Sequence, residues 1–302
     1  MEVMAYVISP ERRGETRLPD GRLLGWAEWG PEDGAPVLLC PGAATSRHLG
    51  FGANAVHPLG VRLVSVDRPG LGASTPSPGR TFADFAADMR DLIALRDLIT
   101  VRDLITVRDM ANPIMVGNSQ GAPFALACAA EGLASAVAIV SGADEVATPQ
   151  FASVLPDDLR GLVARVASDP AGAEQFFRGL GAAAMSTMVM DASPPSDLQV
   201  YRDPVFAAAY RQALDEAFAQ GPDGYARDTV LAMGRWPFVL GEINVPVDLW
   251  YGEQDTTHSP DNGKTLATRI PGARLHTLPR IGGAALWKHP TSILHTALTR
   301  LR

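Results

Sequence analysis

The sequence has little cysteine, no excess of positive charge and no long apolar run. Its 302 residues include only two cysteines, Cys40 and Cys128. One falls in a predicted strand and the other in a predicted helix, so we expect two buried thiols rather than a disulfide, as in a reducing cytoplasm. No cluster of cysteine and histidine has the spacing of metal ligands, which argues against a metal cofactor.

Charge and hydropathy exclude several classes of partner. The formal net charge of −7 argues against binding to nucleic acid or to an anionic membrane surface. No apolar run could span a bilayer, and residues 1–14 lack the basic-then-apolar order of a signal peptide. We therefore expect a cytoplasmic protein that acts on a small-molecule substrate, without a membrane or nucleic-acid partner; formation of a homo-oligomer is left open.

Short apolar runs alternate with helical segments along most of the chain. A hairpin is predicted at 14–29, because an Asp-Gly turn signal separates two short runs. Alternation of buried strands with helices is typical of a mostly parallel sheet with its site at the carboxyl ends of the strands. The predicted strands are 37–40, 62–66, 114–116, 136–140, 245–251 and 275–278, and the helices between them are 81–90, 122–130 and 262–269.

The alternation lapses between residues 142 and 245. Segments 157–168, 171–180 and 205–219 have helical spacing, and no buried-strand run occurs there. We predict a core formed by 1–143 and 237–302, with a helical cap at 144–236 that excludes water from the site. The alternative is a set of surface helices packed beside the sheet. Met185, Met188 and Met190, with Trp236 and Phe238 after them, either line an apolar pocket or belong to an ordinary core.

Residues 90–109 form a repeat of period six, RDLIAL-RDLITV-RDLITV-RD. Six residues advance a helix by about 240° net, so the apolar pairs of successive copies point in different directions. We interpret the segment as a duplication. One copy completes the helix that begins near Thr81, and the other copies are extruded or form a second helix.

The stretch around Ser119 is the most informative in the chain. A short apolar run precedes Gly117-Asn118-Ser119-Gln120-Gly121, and small, helix-forming residues follow it, with Pro123 in the first turn. This order of strand, tight turn and helix fits the G-x-S-x-G nucleophile elbow, in which glycines permit a sharp turn that presents the serine hydroxyl.

Taken together, the motifs resemble the α/β-hydrolase fold family over nearly the whole chain outside the predicted cap and the repeat. The resemblance implies an α/β fold, with a mostly parallel central sheet flanked by helices and an inserted helical cap. It also implies hydrolysis of carboxylic esters or lactones of small apolar substrates through an acyl-serine intermediate, with no metal and no organic cofactor. The motifs are the elbow, Pro-Gly at 41–42, Asp-Arg-Pro-Gly-Leu-Gly-Ala-Ser at 67–74, Gly-Glu-Gln-Asp at 252–255 and Ile-Pro-Gly-Ala at 270–273.

The resemblance assigns roles to individual residues. Ser119 is the predicted nucleophile, and the backbone N–H groups of Ala43 and Gln120 are the predicted oxyanion hole, although Pro-Gly stands where the family usually has His-Gly. Asp255, after the fifth buried strand, is the predicted triad acid. Asp228, near the end of the cap, is a rival for that role.

The catalytic histidine is missing from its usual place. The family carries it just after the last strand, seven residues before a proline; counting back from Pro290 gives Gly283. Because serine is a weak nucleophile without a base, we expect a space beside Ser119 and an inactive or strongly impaired enzyme. His258 is the candidate substitute base, and His48 could line the entrance. The alternative function is a non-catalytic small-molecule-binding protein.

Overall fold

The computed structural model describes residues 5–96 and 112–301, and its strands form one mixed sheet of order β1-β2-β4-β3-β5-β6-β7-β8. The β1–β2 hairpin and the β2–β4 pair are antiparallel, and the other pairs are parallel. This confirms the predicted fold class. The strands are β1 Arg12–Arg17, β2 Leu23–Trp29, β3 Ala35–Cys40, β4 Val61–Val66, β5 Ile114–Asn118, β6 Ala136–Val140, β7 Val247–Gly252 and β8 Arg274–Leu278.

The central strands are buried on both faces, which is why their sequences are continuous apolar runs. Val37 and Leu39 belong to one cluster of buried side chains, whereas Leu38 and Cys40 belong to another. Because successive side chains of a strand point to opposite faces, the two clusters cover the two faces of the sheet. Cys40 and Cys128 are buried free thiols, as expected.

Helices flank the sheet, and six of them connect β6 to β7. Helix α1 starts with a capping box formed by Thr81 and Asp84, and it includes the first copy of the hexad repeat. The rest of the repeat, from residue 97, lies outside the described residues. The helices are α1 Phe82–Leu95, α2 Ala122–Ala130, α3 Asp157–Ser168, α4 Pro170–Phe177, α5 Ala182–Ala192, α6 Pro195–Tyr201, α7 Pro204–Ala217, α8 Asp223–Met233, α9 Lys264–Arg269, α10 Ala285–Lys288 and α11 Pro290–Thr299.

The helices α3–α8 share a core with one face of the sheet. Phe206 of α7 is fully buried, and its ring lies 5.0 Å from that of Trp287 in α10, centroid to centroid. Predicted segment 157–168 matches α3, while 171–180 and 205–219 correspond to α4 and α7 with shifted ends. None of the described helices is long and apolar enough to cross a bilayer.

Candidate active site

The turn after β5 presents Ser119 at the carboxyl edge of the sheet. Ser119 has a left-handed φ of 50° and starts a one-turn 3₁₀ helix that leads into α2. A Cβ at Gly117 would lie 2.7 Å from Cα of Ala122, and one at Gly121 would lie 2.0 Å from the carbonyl oxygen of Cys40. Only glycine fits at either position, so the strained turn depends on both.

An imidazole lies between the predicted nucleophile and the predicted acid, and it belongs to His258. Its Nε2 is 3.1 Å from Ser119 Oγ, and its Nδ1 is 2.9 Å from each carboxylate oxygen of Asp255. With the proton on Nδ1, that nitrogen donates to Asp255 and Nε2 accepts the hydroxyl proton of Ser119. The expectation of a space without an imidazole is therefore wrong, and the substitute named from the sequence lies in that space.

The backbone after β7 folds so that acid and imidazole come from one short loop. The carboxylate of Asp255 accepts the backbone N–H groups of Thr257 at 3.2 Å and His258 at 3.3 Å, and the Thr257 hydroxyl at 3.1 Å. This is an Asx-type turn. The carbonyl of His258 accepts the backbone N–H of Asp144 at 3.0 Å, which ties the loop to the segment that follows β6.

Gly283 faces the same imidazole from the loop after β8. A Cβ at residue 283 would lie 2.7 Å from Cε1 and 3.2 Å from Nδ1 of His258. The ring thus occupies the space that a side chain at 283 would need. Asp197 of α6 holds this loop, since its carboxylate accepts the N–H groups of Gly282 and Ala284, both at 3.0 Å. No sequence signal marked Asp197, because its helix was not predicted.

Burial and mutual charge determine the ionisation of Asp255 and His258. Burial alone would raise the pKa of Asp255, but the adjacent His258 and the hydrogen bonds from the turn outweigh it and lower that pKa to about 2. Burial would lower the pKa of His258, yet the charge and hydrogen bond of Asp255, with a contribution from Asp197, raise it above its ordinary value of 6.5. The carboxylate is therefore ionised at neutral pH and favours the protonated imidazole.

The predicted oxyanion residues lie next to Ser119. Ala43 and Gln120 line the same cavity as the serine. Gln120 is at the start of the 3₁₀ helix, where backbone N–H groups have no partner within the helix. A Cβ at Gly42 would lie 3.4 Å from Cβ of Ser119, which shows how closely the loop after β3 approaches the elbow.

Two other predicted candidates have different partners. Asp228 is fully buried and forms ion pairs with Arg68 and Arg80 rather than with an imidazole, so its rival role as triad acid is wrong. His48 pairs with Glu216 and does not line the cavity. The sequence placed Arg68 only in a family motif. Its contacts with the carbonyl groups of Pro41 and Gly42 were not predicted; they lie in the loop after β3, which carries the predicted oxyanion residue Ala43 and is called the oxyanion loop below.

A cavity of about 380 Å³ opens at Ser119. Met185 and Met188 line it, as one of the two interpretations of the methionines predicted, whereas Met190, Trp236 and Phe238 do not. Within 5–96 and 112–301, no cluster of His, Cys, Asp or Glu is arranged to hold a metal ion. Most of the wall is apolar, with Val146, Leu159, Met185, Met188, Val189 and Trp287 among its residues.

Solved structures with the same fold include enzymes of several kinds. A bromoperoxidase from Bacillus anthracis is 17% identical and superposes with a TM-score of 0.69, over 96% of this chain and 99% of the other. An esterase from Exiguobacterium antarcticum is 17% identical, with a TM-score of 0.65 over 95% and 98%. An enol-lactonase from Burkholderia xenovorans is 19% identical, with a TM-score of 0.64 over 95% and 99%. At such identities the likeness concerns the fold alone.

A family model matches most of the sequence. A search of curated proteins finds no significant match. The family model described as the alpha/beta hydrolase family matches residues 37–291, which include the elbow, the loop after β7 and the loop after β8. This span is most of the chain. The protein therefore belongs to the alpha/beta hydrolase family.

Proposed function

We propose that this protein is an active serine hydrolase that cleaves carboxylic esters or lactones of small apolar substrates. The observation that carries the proposal is the continuous chain of hydrogen-bonding groups from Ser119 Oγ through the His258 ring to Asp255. Such a chain supplies the base without which a serine hydroxyl is a weak nucleophile. The sequence-based expectation of an impaired enzyme is replaced by this proposal.

Acylation follows from the positions of these groups. Ser119 Oγ attacks the ester carbonyl carbon while His258 Nε2 accepts its proton, and Asp255 stabilises the resulting imidazolium. The N–H groups of Ala43 and Gln120 are proposed to bind the oxyanion that forms. Collapse of the tetrahedral intermediate breaks the carbon–oxygen bond, and His258 Nε2 gives the proton to the leaving alkoxide oxygen. In a lactone that oxygen stays attached to the acyl chain.

Deacylation reverses the same roles with water. His258 accepts a proton from water, the hydroxide attacks the acyl carbon, and the imidazolium returns the proton to Ser119 Oγ as the acid leaves. We propose that the segment 144–236 acts as the cap over this reaction, because side chains of α5 and α6 line the cavity beside the serine. An apolar, covered cavity strengthens the electrostatic interactions of the reacting groups.

The family and the solved structures of the same fold support a hydrolase. An esterase and an enol-lactonase are among the solved structures with this fold, and the family model is one of hydrolases. The choice of esters and lactones over other chemistry rests on the serine at the elbow with its histidine and carboxylate. The choice of apolar substrates rests on the methionine-rich wall of the cavity.

The test combines turnover with labelling of the serine. Purified protein is assayed with 4-nitrophenyl esters of increasing chain length and with unsubstituted lactones, and it is treated with a fluorophosphonate whose adduct is located by mass spectrometry. We expect turnover and a single adduct on Ser119, both lost in Ser119→Ala and both retained in the matched control Ser168→Ala, an exposed residue of α3. Absence of turnover and of adduct in the unmodified protein contradicts the proposal and favours the binding-protein alternative.

A further inference from the structure

The described residues of the cavity wall include acidic side chains but no lysine or arginine. The three carboxylates are those of Asp144, Asp197 and Asp255. Among the described residues only Asp255 is in an ion pair, with the imidazole of His258, whereas the charges of Arg269 and His258 act on Asp144 and Asp197 from a greater distance. The other two are each about 1% exposed and form no ion pair with a described residue.

Neutral donors hold the two unpaired carboxylates. Asp144 accepts the hydroxyl of Ser259 at 2.9 Å and the N–H of Glu145 at 2.8 Å. Asp197 accepts two backbone N–H groups of the loop after β8. Hydrogen bonds of this kind stabilise a carboxylate without cancelling its charge. Burial raises the pKa of Asp144 to about 6, so this group is still largely ionised at pH 8.

We propose that the site accepts neutral and cationic esters or lactones and excludes those that carry a carboxylate; this rests on the proposed hydrolase function. A substrate carboxylate would enter a cavity with a mostly apolar wall in which the carboxylates of Asp144 and Asp197 are buried. The repulsion is weakly screened there, and the wall offers no guanidinium or ammonium group to compensate it. Asp144 and Asp197 thereby determine specificity, although neither is required to contact the reacting carbonyl.

A matched pair of substrates tests this inference. The 4-nitrophenyl monoester of adipic acid and its methyl ester share a leaving group and nearly a shape, and they differ by one charge. At pH 8 and low salt we expect kcat/KM for the acid to be at least about 50-fold below that for the methyl ester. Asp144→Asn should raise the acid-to-ester ratio about 5-fold or more, since it removes one repulsive charge. Asp157→Asn is the matched control, because that side chain is exposed on α3.

The outcomes separate this inference from the function on which it rests. If both compounds are cleaved equally well, the charge selectivity is overturned and the hydrolase proposal stands. If Asp144→Asn and Asp157→Asn leave the same ratio, the assignment of Asp144 is overturned. If Asp144→Asn alone raises the ratio, it is supported. Absence of turnover with the methyl ester overturns both proposals.

A second inference concerns the buried Arg68, whose contacts are independent of the cavity wall. Its side chain is fully buried, with Nη1 2.6 Å from the carbonyl oxygen of Pro41 and Nη2 3.0 Å from that of Gly42. The third nitrogen of the guanidinium group, Nε, lies 2.6 Å from Oδ2 of Asp228 in α8. One guanidinium thus joins the oxyanion loop to a helix of the segment between β6 and β7.

Peptide geometry explains what this contact does. In a trans peptide the carbonyl oxygen and the N–H point in opposite directions. Because the Gly42 carbonyl is directed at Arg68, the N–H of Ala43 in the same peptide unit is directed away from Arg68, and Ala43 lines the cavity. We infer, resting again on the proposed hydrolase function, that Arg68 is a positioning residue that orients the Ala43 N–H of the oxyanion hole, and that Asp228 fixes the guanidinium in that orientation.

The test compares two buried arginines that share Asp228. Lysine keeps the charge of Arg68, but its single nitrogen cannot reach the three acceptors that the three guanidinium nitrogens contact, so Arg68→Lys should lower kcat about 100-fold and change KM little. Affinity for a trifluoromethyl ketone, which mimics the tetrahedral intermediate, should fall with kcat. Arg80→Lys is the control, because Arg80 contacts Asp228 and the carbonyl of Gly224 but not the oxyanion loop.

The readouts distinguish positioning from a merely structural role. A lower Tm for Arg68→Lys with unchanged kcat and unchanged inhibitor affinity overturns the inference, as does an equal loss in Arg80→Lys. Asp228→Glu is a second variant in case Arg68→Lys does not fold, since it keeps the charge that compensates both arginines but displaces the carboxylate that holds the Arg68 guanidinium. It should lower kcat and inhibitor affinity together, in the same direction by a smaller factor, and no change in either contradicts the inference.

Discussion

The loops after β7 and β8 face each other across the same imidazole, but they contribute different things. The loop after β7 carries both Asp255 and His258, three residues apart, whereas the loop after β8 contributes Gly283, where the resemblance to the family predicted the histidine. The space beside Ser119 holds one ring. The ring of His258 fills this space from the loop after β7, and it thereby leaves no room for a side chain at residue 283.

The largest expected effect comes from removing the ring. His258→Ala should lower kcat by about 10⁴- to 10⁶-fold, because Ser119 then has no base within reach. His295→Ala, an exposed histidine on α11, is the control and should keep full activity. The measurement is kcat for a 4-nitrophenyl ester with active-site titration. Retention of more than a tenth of the activity would show that the base comes from another group.

A histidine at the family's usual position should be harmful in the otherwise unchanged chain. A Cβ at 283 lies 2.7 Å from Cε1 of His258, so Gly283→His forces one of the two rings out of place. We expect a loss of about 10- to 100-fold, since small displacements of catalytic groups have effects of this size.

The converse exchange sharpens the comparison. The double variant His258→Gly with Gly283→His should be at least about 10-fold more active than His258→Gly alone, because the ring from the loop after β8 then has room beside Asp255. The readout is kcat/KM on the same ester for all four combinations of the two positions. If Gly283→His is neutral and the double variant is not better than the single one, the two loops do not compete for one space.

A smaller effect is expected from Asp197, which connects α6 to the loop after β8. Asp197→Asn leaves one acceptor for two N–H groups, and it removes a negative charge that contributes to the raised pKa of His258. We expect about a 3- to 10-fold loss of kcat and a shift of the acid limb of the kcat/KM profile to lower pH. A loss of activity without the pH shift would show that Asp197 acts on the loop but not on the imidazole.

The smallest expected effect concerns the unmodified protein, whose activity should fall at a higher pH than the pKa of an ordinary histidine implies. His258 must be neutral to accept the proton of Ser119, and its pKa is raised above 6.5 by Asp255. Activity should therefore be lost as the pH falls, with a midpoint above 6.5 in kcat/KM, which reports the free enzyme. Asp255 has a pKa of about 2, so it stays ionised throughout this range. A midpoint below 6.5 contradicts this assignment.

The parts of the molecule that local sequence determines were predictable. The elbow at Ser119 needs only an apolar strand, two glycines and a following helix, and all of these are contiguous in the chain. The order of strands and helices followed from apolar runs in the same way. Helices α5 and α6 were not predicted, because their stability comes from packing on the core rather than from a regular amphipathic pattern.

The parts that depend on long-range contacts were predicted only as candidates, as with His258, or not at all, as with the contacts of Arg68. The position of His258 beside Ser119 depends on a turn organised by Asp255 and on a hydrogen bond from Asp144, more than a hundred residues earlier. The ion pair of Arg68 with Asp228 joins residues 160 positions apart. A motif count along the chain measures spacing, whereas these contacts are set by the three-dimensional arrangement of separate loops.

Asp255 and His258 are only three residues apart, which has consequences for the exchange of this pair between genes and for its detection in sequences. The carboxylate and the imidazole are encoded within a dozen nucleotides, so a single exchange of that loop between related genes would transfer both. The recipient would also need a glycine at the position that corresponds to Gly283. A survey that looks for a histidine only downstream of the last strand would find no candidate base in a chain of this kind. Checking for D-x-x-H after the penultimate strand would recover it.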